Sequence, residues 1–440
     1  MEISMLEEAR HFEVDLAVIG TGIAGFASSI FALNRNIETA QIGNTGAVAY
    51  TTGYLDLLGA LEGSPAPVDH PWEDLCRLKA ASPGHPLARI PAGEIREGFA
   101  QFTTFLGDNG IGYTSPGESN ITALTPAGTL KKTLCVPKTM ENGPLAYARN
   151  SPCIIIDFKG LKGFSARQVV ANLRDSWPSL SSRRLTFPGM DSGEIYPEVM
   201  ARALEVPATR EKLAELLKDI GREVGVIGLP ALLGMHRPDH VHSELERLTG
   251  LTIFEIPTMP PSVPGIRLRE MFEQLFPQKG LTLIPQQKVD SLSFTSARAE
   301  LRLADNYGPI TISAQAVILA TGRFLSGGLD ARITGITEPL LDLPVAQPGC
   351  RTDWYREKYT DNRGHAIHKA GIEVDETFRP LGMNGMPFDE RLFSAGIILA
   401  HQDWIRGRSG AGVAIASAYG AVKAVDRFLQ NPGGRKAGQI

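Results

Sequence analysis

Apolar residues fall in short blocks along the chain, and the period within each block identifies the element it builds. Residues 15–19 form a compact apolar run and predict a strand. Ile23, Ala27, Ile30 and Phe31, with Leu33 close by, recur on one broad helical face and predict a helix over 23–33. A second strand over 39–42 completes a β-α-β opening. Residues 65–110 are rich in helix formers punctuated by Pro and Gly, and 121–136 alternates around Pro126-Ala127-Gly128, as a hairpin does. Apolar runs at 153–158, 224–229 and 252–256 then read as buried strands, with a helix at 165–173 and further helices between them. This alternation predicts a second, smaller α/β unit. The opening pattern resumes with a strand at 281–284. Runs at 289–294, 300–304 and 310–313 predict a small antiparallel sheet, and 316–320 a separate apolar strand. A strand at 392–395 and a helix over 413–429 close the chain.

Between the first strand and first helix lies Gly20-Thr21-Gly22-Ile23-Ala24-Gly25. Gly20 permits a tight turn, Gly22 lets a phosphate approach the backbone, and Gly25 lets helix and strand pack closely. The first N–H groups of the helix, from Ile23 and Ala24, then face the phosphate. The carboxylate that holds an adenosine ribose in such folds, about 20 residues on, is missing. The second strand ends Gln41-Ile42-Gly43-Asn44, and the nearest acid, Glu38, precedes it. FMN, which has a phosphate and no adenosine, fits this ending, and FAD bound in a variant way is the alternative. Two later features argue against a nicotinamide-only protein. Residues 316–320 run into Thr321-Gly322, as in the strand that passes back beside the cofactor of flavoproteins. Phe393-Ser394-Ala395-Gly396, followed by Gly410-Ala411-Gly412 opening a helix, is similar to their C-terminal flavin motif. The small residues of that helix, Gly410 and Gly412 among them, also suit plain close packing.

Composition narrows the picture further. A chain of 440 residues, 43% hydrophobic, suits two domains better than one core. The expectation is a discontinuous flavin-binding domain over 11–62 and 278–435, an inserted α/β substrate or partner domain over 63–277, and a flexible tail at 436–440. The fold class is α/β: a Rossmann-like FAD/NAD(P)-binding flavoprotein fold with an inserted second α/β domain. A net charge of −4 carries no basic excess, so no nucleic-acid partner is expected. No apolar run approaches the ~20 residues of a membrane-spanning helix, and residues 1–13 lack the pattern of a secretory leader. A cytoplasmic location is expected. Cys76, Cys135, Cys153 and Cys350 are widely spaced, which argues against a disulfide framework and against an iron–sulfur cluster on this chain.

Longer strings carry a more specific resemblance. Thr51-Thr52-Gly53-Tyr54-Leu55-Asp56-Leu57-Leu58, residues 257–268, Ser326-Gly327-Gly328-Leu329 and Asp375-Glu376-Thr377-Phe378-Arg379-Pro380 span the chain. They resemble the B subunits of the anaerobic glycerol-3-phosphate dehydrogenases, within the fumarate reductase-like flavoprotein group. The resemblance implies an FMN protein that works with an FAD-bearing catalytic A subunit, together with an iron–sulfur, membrane-anchoring C subunit. Such a complex oxidises sn-glycerol 3-phosphate to dihydroxyacetone phosphate, passes electrons to quinone, and would hold this chain peripherally at the inner face of the membrane, its flavin either taking the hydride or relaying the electrons. Thr51, Thr52 and Gly53 join the cofactor candidates on the same ground. Around His401-Gln402-Asp403-Trp404-Ile405-Arg406-Gly407-Arg408 the chain departs from the family's glycine-rich run.

Arg267 and Arg379 lie in the family-like strings and could grip a substrate phosphate, or could be structural ion pairs. Arg406 and Arg408 flank the last helix, where a cofactor phosphate, a partner or solvent could meet them. His236, His240 and His242 are interrupted by Pro238, and no metal site is expected. No general base is recognisable. Two other readings stay open: a stand-alone FAD oxidoreductase on a small hydroxy or amino acid, and a non-redox assembly subunit of a flavoprotein complex.

Overall fold

The structure is a computed structural model, and it describes residues 10–44, 47–64, 66–222, 224–361 and 363–430; the expected tail at 436–440 lies outside them. The chain opens with β1 (Arg10–Ile19), α1 (Ile23–Leu33) and β2 (Thr39–Gly43), followed by α2 (Pro71–Ala81) and α3 (Ala92–Asp108). A hairpin, β3 (Ile121–Leu124) and β4 (Leu130–Thr133), turns where Pro126-Ala127-Gly128 directs it. The strands β5 (Cys153–Phe158), β6 (Leu180–Leu185), β7 (Val226–Pro230) and β8 (Thr252–Ile256) follow. Then come the helix Val263–Gln278, β9 (Thr282–Pro285), β10 (Ser291–Phe294), β11 (Ala299–Asp305) and β12 (Gly308–Leu319). A short strand, Leu392–Ser394, precedes the last helix, Gly410–Gln430.

One seven-stranded sheet has the order β10-β11-β12-β1-β2-β9, with Leu392–Ser394 beside β12. Strands β12, β1, β2 and β9 run parallel, which places the C-terminal ends of β12, β1 and β2 side by side. The apolar pattern divides 310–320 into two strands, and the structure makes it one. The edge of β12 that faces β11 pairs antiparallel as far as Ala314, then pairs parallel with Leu392–Ser394 from Val317. Its burial alternates in the first half and is continuous in the second, because covering changes where the partner changes.

The second sheet, β6-β5-β7-β8, is all parallel. One face is covered by a core that includes Leu213, Leu217, Val241 and Leu245, the other by one that includes Val169, Leu173 and Trp177. Its strands lie inside the expected insert, but that insert is not one packing unit. Leu75 of α2, Phe99 and Phe102 of α3, and Phe272 of the helix Val263–Gln278 all join the core of the first sheet. Phe26 of α1 stacks on Phe272 with ring centroids 4.3 Å apart.

The two sheets are tied by a buried ion pair. Glu255 on β8 accepts from both terminal nitrogens of Arg267, each at 2.8 Å. It also accepts from Leu232 N–H (2.8 Å), Leu233 N–H (2.6 Å) and the Thr139 hydroxyl (2.6 Å). Among the described residues no helix is long and apolar enough to cross a membrane.

The thiols give a simple check on this packing. Cys135 and Cys153 are buried, while Cys76 and Cys350 are exposed. Burial pushes the Cys135 thiol up to about 12, and Cys153 is pushed up by the same cause. A thiol-titrating disulfide reagent at neutral pH should therefore modify Cys76 and Cys350 quickly, with Cys135 and Cys153 reacting only after denaturation. Rapid modification of all of them in the native protein would contradict the packing around β5.

Candidate functional site

The glycine turn sits where the strand order requires it. Gly20 N–H donates to Ile42 O (2.6 Å) at the end of β2, and Ala320 N–H donates to Ile19 O (2.8 Å). Gly20 has φ +136°, and a Cβ there would overlap the Ala320 carbonyl oxygen. A Cβ on Gly25 would overlap the carbonyl oxygen of Gly20 itself, whereas one on Gly22 would meet nothing within 4 Å. The three glycines thus do three different things: fit beneath a neighbouring strand, let α1 close onto the turn, and leave space open. Gln41 braces the turn from β2, donating to Gly20 O (2.8 Å) while accepting from Ser29 (2.9 Å).

The open space is a cavity of about 960 Å³. It runs from the turn to Ile42, Gly43 and Asn44 in one direction and to Lys131, His368 and Trp404 in the other. Gly20, Gly22, Ile23, Ala24, Thr51, Thr52, Thr321, Gly322 and Gly410 all line it. Gly25, Gly53, Gly396 and Gly412 do not, and each serves packing or backbone shape. Gly53 (φ +86°) passes beneath Pro264. Gly396 (φ +86°) donates its N–H to the Ser417 hydroxyl at 2.8 Å. Gly412 lies beneath Leu57 and donates to Asp56 O (2.6 Å), so the last helix enters under the loop after β2.

The residues present fit a flavin. The first turn of α1 has no side-chain cap, which leaves its N–H groups for an anion. The hydroxyls of Thr21 and Thr321 are buried, have no hydrogen-bond partner among the described residues, and belong to residues that line the cavity. Orphaned buried hydroxyls of this kind are costly unless a ligand completes them. The N-terminus of the last helix, at Gly410 and Ala411, supplies a second positive dipole end.

The structure places neither Arg267 nor Arg379 at the cavity. Arg267 is 2% exposed and consumed by Glu255 and Gly234 O (2.8 Å). Arg379 pairs with Asp375 at 2.8 Å across its own turn. Both are structural ion pairs, and the substrate-phosphate role expected of them has no geometric basis. Arg406 pairs with Asp403 (3.7 Å), while Arg408 lines the cavity with its backbone at φ 46°. His236 precedes a helix, Pro238–Thr249, in which the proline is the first residue rather than a break. His242 is buried there against Ile253 O (2.8 Å).

The polar wall opposite the turn had no pattern to announce it. Asp56 is 8% exposed, with one oxygen 2.5 Å from Lys131 Nζ and the other without a hydrogen-bond partner among the described residues. Burial pushes its carboxyl above the usual range, and the charges of Lys131 and Arg408 offset part of that rise. His368 lies 3.2 Å from Asp403. Arg323, directly after Gly322, donates to the carbonyl oxygens of His368, Leu399 (3.1 Å) and Gln402 (3.1 Å). Burial lowers its guanidinium to about 10, although the Asp403 charge works the other way. Asp56 lies in a family-like string and Asp403 in the run 401–408, but Lys131 and His368 come from segments with no motif.

A sequence profile of the family described as FAD binding domain matches residues 15–413. Among curated proteins the chain is similar to the B subunit of the anaerobic glycerol-3-phosphate dehydrogenase of Aliivibrio fischeri, 28% identical over 94% of this chain and 96% of that protein. The protein of the same name from Vibrio cholerae serotype O1 is 29% identical over 93% and 96%. Among solved structures, a 3-ketosteroid delta1-dehydrogenase from Sterolibacterium denitrificans aligns over 94% of this chain and 99% of that one, at 11% identity and a TM-score of 0.42. That looser likeness carries no argument about this site.

Proposed function

The chain belongs to the FAD binding domain family, and from that premise we propose that it is the flavin-containing B subunit of an anaerobic, quinone-linked glycerol-3-phosphate dehydrogenase. The observation that carries the reading is the cavity. Its lining brings together an uncapped helix start, two hydroxyls with no partner among the described residues, and Lys131 and Arg408. A bound flavin supplies a two-electron acceptor for a carbinol C–H bond. The chain's own residues do the rest. Gly20 to Ala24 take the cofactor phosphate, Thr321 and the start of the last helix face the ring end, and Arg408 offers a cation to a phosphate ester. Among the described residues Arg408 has no carboxylate in ion-pair range, so its charge is available. Relatives named as B subunits support a multisubunit setting. In this reading the partners are an FAD-bearing A subunit, beside which this chain's flavin reacts with substrate itself, and an iron–sulfur C subunit that anchors the assembly at the inner face of the membrane.

FMN is the proposed form of the cofactor, because β2 is followed by Asn44 and offers no carboxylate there for an adenosine ribose. FAD is the alternative: the matching family is described as FAD binding domain, and the cavity lining continues along residues 42–44 and 287–290. Heat release of the cofactor from the purified chain, followed by chromatography, tests both. FMN is the expected result. FAD would overturn the FMN assignment and leave the flavin reading intact; a chain purified from its own complex without flavin would point to the non-redox assembly reading instead.

A further inference from the structure

The oxidation of a carbinol needs a group that accepts the hydroxyl proton, and nothing so far assigned supplies one. We propose that His368 accepts it, with Asp403 holding the imidazole in position. The inference deepens the dehydrogenase reading and rests on it.

Geometry carries it. His368 lines the cavity that the glycine turn, Thr321 and the start of the last helix also line. Its Nδ1 lies 3.2 Å from Asp403 Oδ2. Nε2 has no hydrogen-bond partner among the described residues, and the side chain is 31% exposed. An imidazole that donates through Nδ1 to a carboxylate carries its lone pair on Nε2, which is the atom able to take a proton. The Asp403 side chain is only 11% exposed. Its other oxygen accepts the Arg406 N–H (3.2 Å), so the carboxylate also caps the short helix Trp404–Gly407 and cannot swing away without uncapping it.

The pair is held from behind as well. Arg323 bonds the His368 carbonyl together with Leu399 O and Gln402 O, locking the loop that bears the histidine to the segment that leads into Asp403. A buried guanidinium spent on three carbonyl oxygens is expensive unless their positions matter. The charged and titratable groups around His368 are Asp403, Arg406 paired with Asp403, Arg323, and His365, whose ring meets it edge-on at 5.4 Å. His365 is no competitor. Its Nδ1 accepts the Arg356 N–H and its Nε2 bonds Tyr359 O, so both nitrogens are used inside the protein.

The chemistry balances. The substrate O–H bond breaks and its proton goes to His368 Nε2. The electron pair left on oxygen closes the C=O bond. The C–H bond breaks and its hydrogen leaves with both electrons for the flavin acceptor, so a secondary alcohol becomes a ketone while the flavin is reduced by two electrons.

The test is anaerobic stopped-flow reduction of the flavin-loaded full chain by glycerol 3-phosphate, across pH, for wild type, His368→Gln and Asp403→Asn. Flavin content and absorbance spectrum should be unchanged in both variants. Wild type should show reduction that falls away on the acid side as a single group is protonated. His368→Gln should slow reduction by about 10²–10⁴-fold, abolish that acid limb, and recover part of the rate with added imidazole. Asp403→Asn should keep the acid limb and slow reduction by less than His368→Gln, because the imidazole remains but is no longer held in position. Separately, nitrogen NMR of the His368 ring in the full chain should show the proton held on Nδ1 in wild type and shared between the two nitrogens in Asp403→Asn, a readout independent of turnover. If wild type reduces and His368→Gln matches it within twofold with the same limb, the proton-acceptor role is overturned while the dehydrogenase reading stands. If the isolated chain is not reduced while the assembled complex is, the chain relays electrons and the proton-acceptor role is overturned with the dehydrogenase reading intact; if neither is reduced by glycerol 3-phosphate, that reading fails as well.

Discussion

Replacing Arg267 by Met should lower the stability of the folded chain by about 3–5 kcal/mol, the usual cost of leaving a buried charge without its partner. Arg267 and Glu255 are 2% and 1% exposed, and the carboxylate keeps only neutral donors once the guanidinium is gone. Because the pair joins β8 to the helix Val263–Gln278, the loss should appear in the coupling of the two sheets rather than at a loop. Chemical denaturation measures it. The double variant Arg267→Met with Glu255→Leu should recover most of the loss, since an apolar pair of similar volume needs no compensating charge. A single variant within about 1 kcal/mol of wild type would contradict this account.

Acid should probe the same pair. Burial acts to raise the Glu255 carboxyl, but the Arg267 charge, its two N–H bonds and the Thr139 hydroxyl outweigh it, and the pKa ends below the ordinary 4.5. The folded-state value is therefore depressed. The stabilisation is present above the unfolded value of 4.5 and is lost as pH falls through the lower folded value. In Arg267→Met that acid-labile contribution should shrink, which flattens the stability curve below pH 4.5.

The second large effect concerns the glycine turn, where two substitutions of equal size should behave differently. Gly22→Val should leave the thermal midpoint near wild type and abolish flavin retention on gel filtration. The added side chain enters the space through which a phosphate reaches the N–H groups of Ile23 and Ala24. Gly25→Val should lose flavin and also destabilise the chain, by at least the roughly 1–3 kcal/mol typical of overpacking, because its Cβ overlaps the Gly20 carbonyl. Retention of flavin by Gly22→Val would sink the phosphate assignment; equal thermal midpoints for the two variants would sink the division of labour between the glycines.

These two sites differ in how far the sequence announced them. The turn was legible because its function is local. A strand, three glycines and a helix packed around residues 15–33 set the backbone path. The core strands were legible for the same reason, since side-chain period follows from backbone geometry. Arg267 was visible as a residue in a specific string, but a string says nothing about what lies opposite. The structure puts Glu255 there, and a residue read as a phosphate ligand becomes a strut.

The chain's sequence by itself determined the β-α-β opening, the glycine turn, the end of the second strand without a ribose carboxylate and a second α/β pattern. Each is written in contiguous residues, where period and glycine spacing act over a few peptide units. Only the tertiary structure decided that β12 is one strand with two partners on the same edge. It alone drew α2 and α3 into the first core, and it alone gathered Asp56, Lys131, His368, Asp403 and Arg408 on one cavity wall. Lys131 and His368 lie far apart along the chain. What unites them is the closing of a long loop by burial and hydrogen bonding, and that free energy is shared across the whole core rather than carried by any local pattern.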